Sequence, residues 1–190
     1  MSMISFDKNN IINLLTSYKG KYPRKVDLAD EFISLINDHN DAFYRTNFYG
    51  HITGSAWVVD SDARILMMHH KKLNKWLQPG GHCDGEFDVM NVAKREAQEE
   101  TGLEDLSMLS SEILDIDKHY IPPKGEEPEH FHFDIRFIFK ANYPEKIIKN
   151  DESNELKWFT PIELNQMNLP ESIMRMHRKA QKVLSVEVCS

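Results

Sequence analysis

Hydrophobic residues recur along the chain with two different periods. At the spacing of a helix they cluster at Ile11–Leu15, at Leu28–Ile36 and from about Pro170 to Leu184. Shorter apolar runs bounded by turn residues predict strands at Ile52–Asp60, Arg64–His69, Glu112–Ile121 and Leu156–Phe159. Strands, a helix, strands and a helix follow one another, which predicts a mixed α/β or α+β domain behind a helical segment over residues 1–50.

The segment His130–Lys140 alternates between two kinds of side chain. Apolar residues hold every second position from Phe131 to Phe139, and polar residues hold the positions between them, namely His130, His132, Asp134 and Arg136. This period of two predicts a strand with one apolar and one polar face. The polar face is interpreted either as partly covered by loops or as a contact for phosphate or base. Two histidines two apart on a strand also suit zinc, but no third ligand is evident from the sequence.

One further helix is predicted from Asp88, a suitable N-cap, to Gly102, a suitable C-cap. At about 100° per residue, one face of this helix carries first an apolar and then an acidic group: Val89, Val92, Ala93, Glu96, Glu99 and Glu100. The face that should point at the core therefore ends in three carboxylates.

Three crowded carboxylates repel one another and lose hydration against a protein body. Arg95 lies four residues before Glu99 and neutralises only part of this charge. A hard divalent cation with oxygen ligands, Mg²⁺ or Mn²⁺, is the natural partner, and magnesium is usually shared with substrate phosphates. Just before the helix, the loop Pro79–Gly81 lets the backbone turn sharply and approach a ligand closely.

Composition narrows the class of protein. Hydrophobic residues make up 41% and charged residues 28% of the 190 residues, which is typical of a globular domain. The 23 basic and 30 acidic residues give a net charge of −7, which argues against a nucleic-acid or membrane-surface binder. No apolar run has the length of a signal peptide or membrane span. The two cysteines, Cys83 and Cys189, cannot make a disulfide framework, so a cytoplasmic setting is expected.

The residues from Gly81 to Leu103, GHCDGEFDVMNVAKREAQEETGL, resemble the Nudix box. The second half of that pattern is complete: Arg95, Glu96, Ala97, Glu99, Glu100, Gly102 and Leu103. In the first half, Phe87 stands where the pattern has a glutamate, and Glu86 lies one residue early. The chain is thus similar to the Nudix, or MutT-like, hydrolases from about His51 to its C-terminus.

The resemblance implies an α/β/α sandwich around a mixed sheet at residues 51–190, with residues 1–50 as a helical N-terminal extension. It also implies Mg²⁺-dependent hydrolysis of the pyrophosphate bond in a small molecule, usually a nucleoside diphosphate derivative. No nucleic acid or membrane partner is expected. The N-terminal helices are expected to pack on the sheet's edge, with a lid or a homodimer contact as the alternatives.

The same resemblance assigns roles to the acidic helix. Glu96, Glu99 and Glu100 are expected to bind the metal, with the backbone carbonyl of Gly81, while Arg95 holds the carboxylates in place. The base that takes a proton from water stays open between a glutamate of the box and two acids of a later loop, Glu152 and Glu155. Three histidines are expected to contact substrate: His82, His130 and His132.

Two other functions stay open from the sequence. One is a module of the same fold that binds a ligand without cleaving it. The other is an enzyme similar to isopentenyl-diphosphate isomerase, which would use Cys83 with a glutamate. The basic residues of the last helix are expected to form a solvated face: Arg175, Arg178, Lys179 and Lys182.

Overall fold

The computed structural model describes residues 7–187. Its helices are α1 Lys8–Lys21, α2 Val26–Asp38, α3 Val89–Thr101, α4 Pro161–Gln166 and α5 Glu171–Glu187. Its strands are β1 Gly50–Val59, β2 Ile65–His70, β3 Lys75–Leu77, β4 Gly80–His82, β5 Leu106–Met108, β6 Asp115–Ile121, β7 His130–Ala141 and β8 Ser153–Phe159. Short 3₁₀ turns lie at Pro23–Lys25 and Pro144–Lys146. Every strand and helix predicted from the sequence is present, and Cys189 lies outside the described residues.

The centre of the mixed sheet is the pair β1 and β7. These strands run parallel and stay in register from Gly50 opposite Phe131 to Val59 opposite Lys140. On the side of β7 away from β1, the strands β6 and β5 each pair antiparallel with β7. The strand β4 pairs antiparallel with β1. The strand β2 joins the end of β1 and carries β3 and β8. The predicted α/β class with a mixed sheet is confirmed.

Helices cover both faces of this sheet, because β1 and β7 present apolar side chains on each side. One core contains Ile52 of β1, Phe133 of β7 and buried residues of α1, α2 and α3. The other contains Trp57 of β1, Ile138 of β7 and buried residues of α4 and α5. Burial of each such side chain stabilises the fold by roughly 1.5–3 kcal/mol.

The N-terminal helices belong to the first core. The amphipathic helix α2 buries Ala29, Phe32, Leu35 and Ile36. The ring of Phe32 meets that of Phe133 edge-on, with centroids 5.0 Å apart. The helical extension thus packs on the apolar face of β7 and also contacts the edge strand β6. None of the helices in residues 7–187 is long and apolar enough to cross a membrane.

Most of the polar face of β7 is buried, and its Arg136 belongs to a buried network of opposite charges. Asp115 of β6 is fully buried and accepts hydrogen bonds from Arg175 at 2.9 Å, Lys179 at 2.7 Å and the Tyr18 hydroxyl at 3.0 Å. With Arg136 of β7 also within 3.5 Å, the basic side chains meet the carboxylate from several sides. Ion pairing and hydrogen bonding offset the desolvation of these charges.

The prediction of a solvated basic face on α5 was therefore wrong for two of its four residues. Arg175 and Lys179 turn inward to Asp115, whereas Arg178 and Lys182 are exposed. Helical periodicity had placed all four away from the apolar stripe. It could not show that an acidic strand lies beside that stripe.

Two segments expected to be irregular are regular. The predicted Pro-Gly-Gly loop contributes Gly80 and Gly81 to the short strand β4, which pairs with Thr53–Ser55 of β1. The predicted turn at Thr160-Pro161 begins α4, where the Thr160 hydroxyl accepts a hydrogen bond from the Glu163 backbone N–H at 3.2 Å.

Candidate active site

The acidic helix α3 has the ends that its sequence predicts. The Asp88 side chain caps it by accepting a hydrogen bond from the Asn91 backbone N–H at 3.1 Å. Gly102 ends it in the left-handed conformation at φ 72°. Its apolar residues are buried against β1, where a Cβ on Gly54 would lie 2.8 Å from the carbonyl oxygen of Val89. Close packing on β1 fixes the direction in which the glutamates point.

Two of the three glutamates turn toward the protein body. Glu100 is only 7% exposed, and the Glu96 side chain is 18% exposed. The Glu99 side chain is 62% exposed, so the prediction that all three face inward is wrong for Glu99. Positions three and four apart on a helix share a face, but Glu99 lies at the edge of that face and its side chain is exposed.

The two inward carboxylates lie against the backbone of β4. The Gly80 N–H donates a hydrogen bond of 2.9 Å to Glu100 Oε2. A Cβ on Gly81 would lie 2.3 Å from Glu96 Oε2, so only glycine leaves room for that carboxylate. The predicted site residues Gly81, Glu96 and Glu100 are therefore brought together by β4 and α3.

The negative charge of Glu96 and Glu100 beside β4 is not fully balanced by neighbouring positive charge. Burial raises the pKa of Glu100 to about 8, and the neighbouring charges of Glu96, Glu152 and Glu99 add to the effect against the opposing Gly80 N–H. Burial also raises the pKa of Glu96, although Arg95 opposes the rise. A cation would relieve both effects, and carboxylates with a backbone carbonyl are the donors that Mg²⁺ and Mn²⁺ prefer.

Arg95 links the acids of the site. Its Nη1 lies 2.7 Å from Glu96 Oε1 and 3.5 Å from Glu99 Oε1, and its Nε lies 4.0 Å from Glu86 Oε2. Glu86 thus lies near Arg95, although it comes one residue before the position where the Nudix box has its first glutamate. The residue in its usual place, Phe87, packs edge-on against Phe43 of the extension with centroids 5.0 Å apart.

The two loop acids lie in different places. Glu152 precedes β8, and its backbone carbonyl accepts a hydrogen bond from Lys71 at 2.8 Å. The charge of its side chain raises the pKa of Glu100, so the two carboxylates are electrostatic neighbours. Glu155 lies within β8 opposite His69 of β2 and is exposed.

The predicted histidines converge on a residue that the sequence did not single out. The ring of His51, on β1, lies 5.1 Å from that of His82, 4.9 Å from that of His130 and 4.8 Å from that of His132, measured between centroids. Burial lowers the pKa of His82 to about 4 and that of His132 to about 2, so both are neutral near pH 7. The parallel pairing of β1 with β7 places His51 opposite His132, and no local pattern reveals such a pairing.

Comparison with known proteins identifies the family. A sequence model of the NUDIX domain matches residues 51–179, whereas a search of curated proteins gave no match. Similar solved structures include an Ap4A hydrolase binary complex from C. elegans, with 17% identity, 70% of this chain and 97% of that chain covered and a TM-score of 0.55. A Nudix hydrolase from M. smegmatis has 19% identity, coverage of 73% and 89% and a TM-score of 0.54.

A third similar structure is a hydrolase of the NUDIX family from Clostridium perfringens. It has 27% identity, 73% of this chain and 99% of that chain covered and a TM-score of 0.50. The structural similarities agree with the mixed sheet between helices described above, and the family match spans more than half of the chain. The chain therefore belongs to the Nudix family and is a hydrolase of pyrophosphate bonds.

Proposed function

We propose that this chain hydrolyses the pyrophosphate bond of a nucleoside diphosphate derivative with the help of Mg²⁺ or Mn²⁺. The observation that carries the proposal is the pair of carboxylates, Glu96 and Glu100, held against the glycine backbone of β4. Buried negative charge beside a backbone with no side chains suits a cation shared with a phosphate.

We assign the metal ligands to Glu96, Glu99 and Glu100, with the backbone carbonyl of Gly81. When bound, a divalent ion neutralises phosphate charge and lowers the pKa of its bound water. Arg95 contacts Glu96 and Glu99 and holds their carboxylates in position. Glu99 is the exposed member of the set, so its carboxylate is open to solvent.

The proton of the attacking water needs an acceptor. We propose Glu152 as this base in preference to Glu155, because the charge of Glu152 acts on Glu100 across the site. A glutamate of the box itself is the alternative. A positioned base contributes about 10²- to 10⁴-fold to the rate, so replacing the acting residue with glutamine lowers kcat by such a factor.

The histidines form the wall that we propose for the substrate. His82 directly follows Gly81 on β4, and the rings of His82 and His132 meet edge-on at 5.1 Å. We propose that imidazole nitrogens of His82 and His132 hydrogen-bond phosphate or base groups of the ligand. His130, the third expected contact, is buried and supports His132, with their Nε2 atoms 3.2 Å apart. The bound ligand is a small molecule, in keeping with the acidic net charge of the chain.

The extension contributes to the same region. Arg45 forms a two-bond ion pair with Asp84, at 2.7 and 2.5 Å, and the Gly85 N–H donates to the Phe43 carbonyl at 3.0 Å. We therefore assign residues 51–190 to the hydrolase domain and residues 1–50 to an extension. The extension contacts Asp84 and Gly85, in the loop between β4 and α3. A homodimer contact through the extension, one of the alternatives from the sequence, is tested by light scattering.

An isomerase chemistry at Cys83 is disfavoured. The thiol is only 2% exposed, and burial raises its pKa well above the usual value, so it stays protonated near pH 7. Cys83→Ser provides the direct check. Loss of turnover with the fold intact would restore the isomerase reading.

A panel of substrates tests the proposal. Phosphate and nucleotide release is measured from ADP-ribose, NADH, diadenosine polyphosphates, coenzyme A, nucleotide sugars and nucleoside triphosphates, with and without Mg²⁺. Glu99→Gln is compared with Glu104→Gln, an exposed glutamate beyond the end of α3. We expect metal-dependent release that Glu99→Gln abolishes and Glu104→Gln retains. Tight binding of one compound without any cleavage would instead indicate a ligand-binding module.

A further inference from the structure

A cluster of imidazoles is linked to the acidic site through His82, which follows Gly81 on β4, but the acidic site does not explain it. Five of the nine histidines stack or meet edge-on there: His51, His82, His119, His130 and His132. Three of them, His51, His130 and His132, bring their ligand atoms within 4.8 Å of one another. Within residues 7–187, no group that includes the box glutamates converges so closely.

His51 is the member with an unsatisfied nitrogen. It is 0% exposed, and its Nδ1 lies 3.2 Å from the carbonyl oxygen of Asn47. A carbonyl only accepts hydrogen bonds, so Nδ1 carries the proton and Nε2 presents a lone pair. Within the described residues this buried Nε2 has no hydrogen-bond partner. A buried polar atom without a partner is costly, and its position calls for an explanation.

His130 is held in the same way. Its Nδ1 lies 2.9 Å from the carbonyl oxygen of Pro128, which leaves its Nε2 as the second lone pair. A ring N–H on a carbonyl, with the lone pair of the other nitrogen turned away from it, is how ligating histidines are oriented in metal sites. In His130 the only hydrogen-bonding contact of that second nitrogen among residues 7–187 is the neighbouring ring of His132. Two backbone carbonyls, of Asn47 and Pro128, therefore leave an Nε2 lone pair on each of two rings whose centroids lie 4.9 Å apart.

The spacing of the third histidine fits a tetrahedral ion. The Nε2 atoms of His130 and His132 are 3.2 Å apart. For zinc bonds of 2.0–2.1 Å, two ligands of a tetrahedron lie about 3.3 Å apart. The distance matches a hydrogen bond between the two rings, and it also suits two nitrogens that share a metal ion.

We propose that His51, His130 and His132 bind a zinc-class transition metal ion through their Nε2 atoms. Neutral imidazole favours Zn²⁺, Co²⁺ and Ni²⁺, whereas the acidic site favours Mg²⁺ and Mn²⁺, so the two sites differ in the metal that they select. Three protein ligands leave a fourth position for water. The carboxylate of Glu127 lies 3.9 Å from His130 Nε2, close enough to balance part of the ion's charge.

The ion would connect three parts of the chain. It joins the start of β1, the start of β7 and, through the carbonyl of Asn47, the end of the N-terminal extension. The site uses different ligands and a different metal from the acidic site, although His132 also belongs to the proposed substrate wall. It is tested without substrate.

Cobalt provides the direct readout, since tetrahedral Co²⁺ absorbs visible light where octahedral Co²⁺ absorbs weakly. The full-length protein is freed of metal with a chelator and titrated with Co²⁺, which Zn²⁺ then displaces. His132→Ala and His51→Gln remove two ligands. His177→Gln is the matched control. His177 is also buried, and its Nε2 likewise has no partner among residues 7–187, but it lies on α5 away from the cluster.

We expect one tight Co²⁺ per chain with tetrahedral absorption in the wild type and in His177→Gln. Both ligand variants should weaken binding by at least about 100-fold, since loss of a ligand's hydrogen-bonding partner alone costs about 10- to 100-fold. His132 is only half-buried, so its variant decides the matter if His51→Gln does not fold. Absence of tight binding, or equal binding in His132→Ala, would overturn the proposal. So would binding that Glu96→Gln removes.

Discussion

Substitution of Gly81 by alanine should impair the candidate active site while leaving the stability of the fold almost unchanged. The new Cβ would lie 2.3 Å from Glu96 Oε2 and 2.4 Å from its Cδ, whereas ordinary contacts begin at 3.4 Å. The carboxylate must therefore move by about 1 Å or more. Misplacement of a catalytic group by about 1 Å can lower the rate about 100-fold. We expect Gly81→Ala to lose activity by about that factor.

The same substitution should cost little stability. The atoms that the methyl group meets belong to the end of a flexible side chain, and the backbone of Gly81 is not in the left-handed region. Alanine in place of glycine also reduces the entropy of the unfolded chain, which stabilises by about 0.4–1 kcal/mol where the backbone permits it. The melting temperature should therefore stay close to that of the wild type.

Two other glycines serve as controls. A Cβ on Gly80 would lie 2.7 Å from the Gly54 carbonyl oxygen and 2.8 Å from the Ser55 Cα, so Gly80→Ala should cost about 1–3 kcal/mol. A Cβ on Gly20 in α1 meets nothing within 4 Å, so Gly20→Ala should lower neither the activity nor the melting temperature. Initial rates with Mg²⁺ and thermal melts are measured for all three. Full activity in a folded Gly81→Ala would refute the assigned position of Glu96.

The buried charges and the loop acids give three more predictions. Asp115→Asn should lower the free energy of unfolding in urea by about 3–5 kcal/mol, because it leaves buried cations uncompensated. The control Glu112→Gln breaks an exposed ion pair with Lys21 and should lower the free energy of unfolding by less than about 1 kcal/mol. Burial opposes ionisation of Asp117, but its hydrogen bond with His119 and the charges of Arg136 and Arg175 outweigh burial and hold its pKa well below the usual value. Ionised Asp117 therefore contributes its full stabilisation above about pH 4, the pKa of aspartate in an unfolded chain. This stabilisation is lost as the pH falls through the folded pKa. Urea midpoints that fall equally with decreasing pH in the wild type and in Asp117→Asn would contradict this. Glu152→Gln should lower kcat by about 10²-fold or more in a rate profile against pH, and Glu155→Gln should not; unchanged rates in both would remove the loop from the mechanism.

Much of the fold follows from patterns that are local in the sequence. The caps of α3 at Asp88 and Gly102 and the alternation of β7 each depend on neighbours within a few residues. These features also predicted that Glu96 and Glu100 face the core. Local chemistry is sufficient here because a helix or strand period links each position to a face.

The features that the sequence did not predict depend on pairing between distant segments. Gly80 and Gly81 form a strand because β1 offers free hydrogen-bonding groups at Thr53–Ser55. Arg175 turns inward because Asp115 of β6 lies within hydrogen-bonding distance of α5. Neither partner is near in sequence, so no local period records the contact.

The histidine cluster illustrates the same limit. His130 and His132 raise the question of zinc from their spacing alone, but the third nitrogen belongs to His51, about eighty residues away. The parallel register of β1 and β7 sets His51 opposite His132. Only the three-dimensional arrangement shows that the Nε2 of His51 is buried and without a partner in the described part of the chain.

The dependence of hydrolysis on Mg²⁺ tests the central claim most directly. With the best substrate of the panel, initial rates are measured from chelator-treated protein through saturating Mg²⁺, for the wild type and Glu96→Gln. We expect a wild-type rate that starts near zero and saturates, and a Glu96→Gln rate at least about 100-fold lower at moderate Mg²⁺. A wild-type rate that needs no Mg²⁺, or the same Mg²⁺ curve in Glu96→Gln, would contradict the assignment of these carboxylates to the catalytic metal.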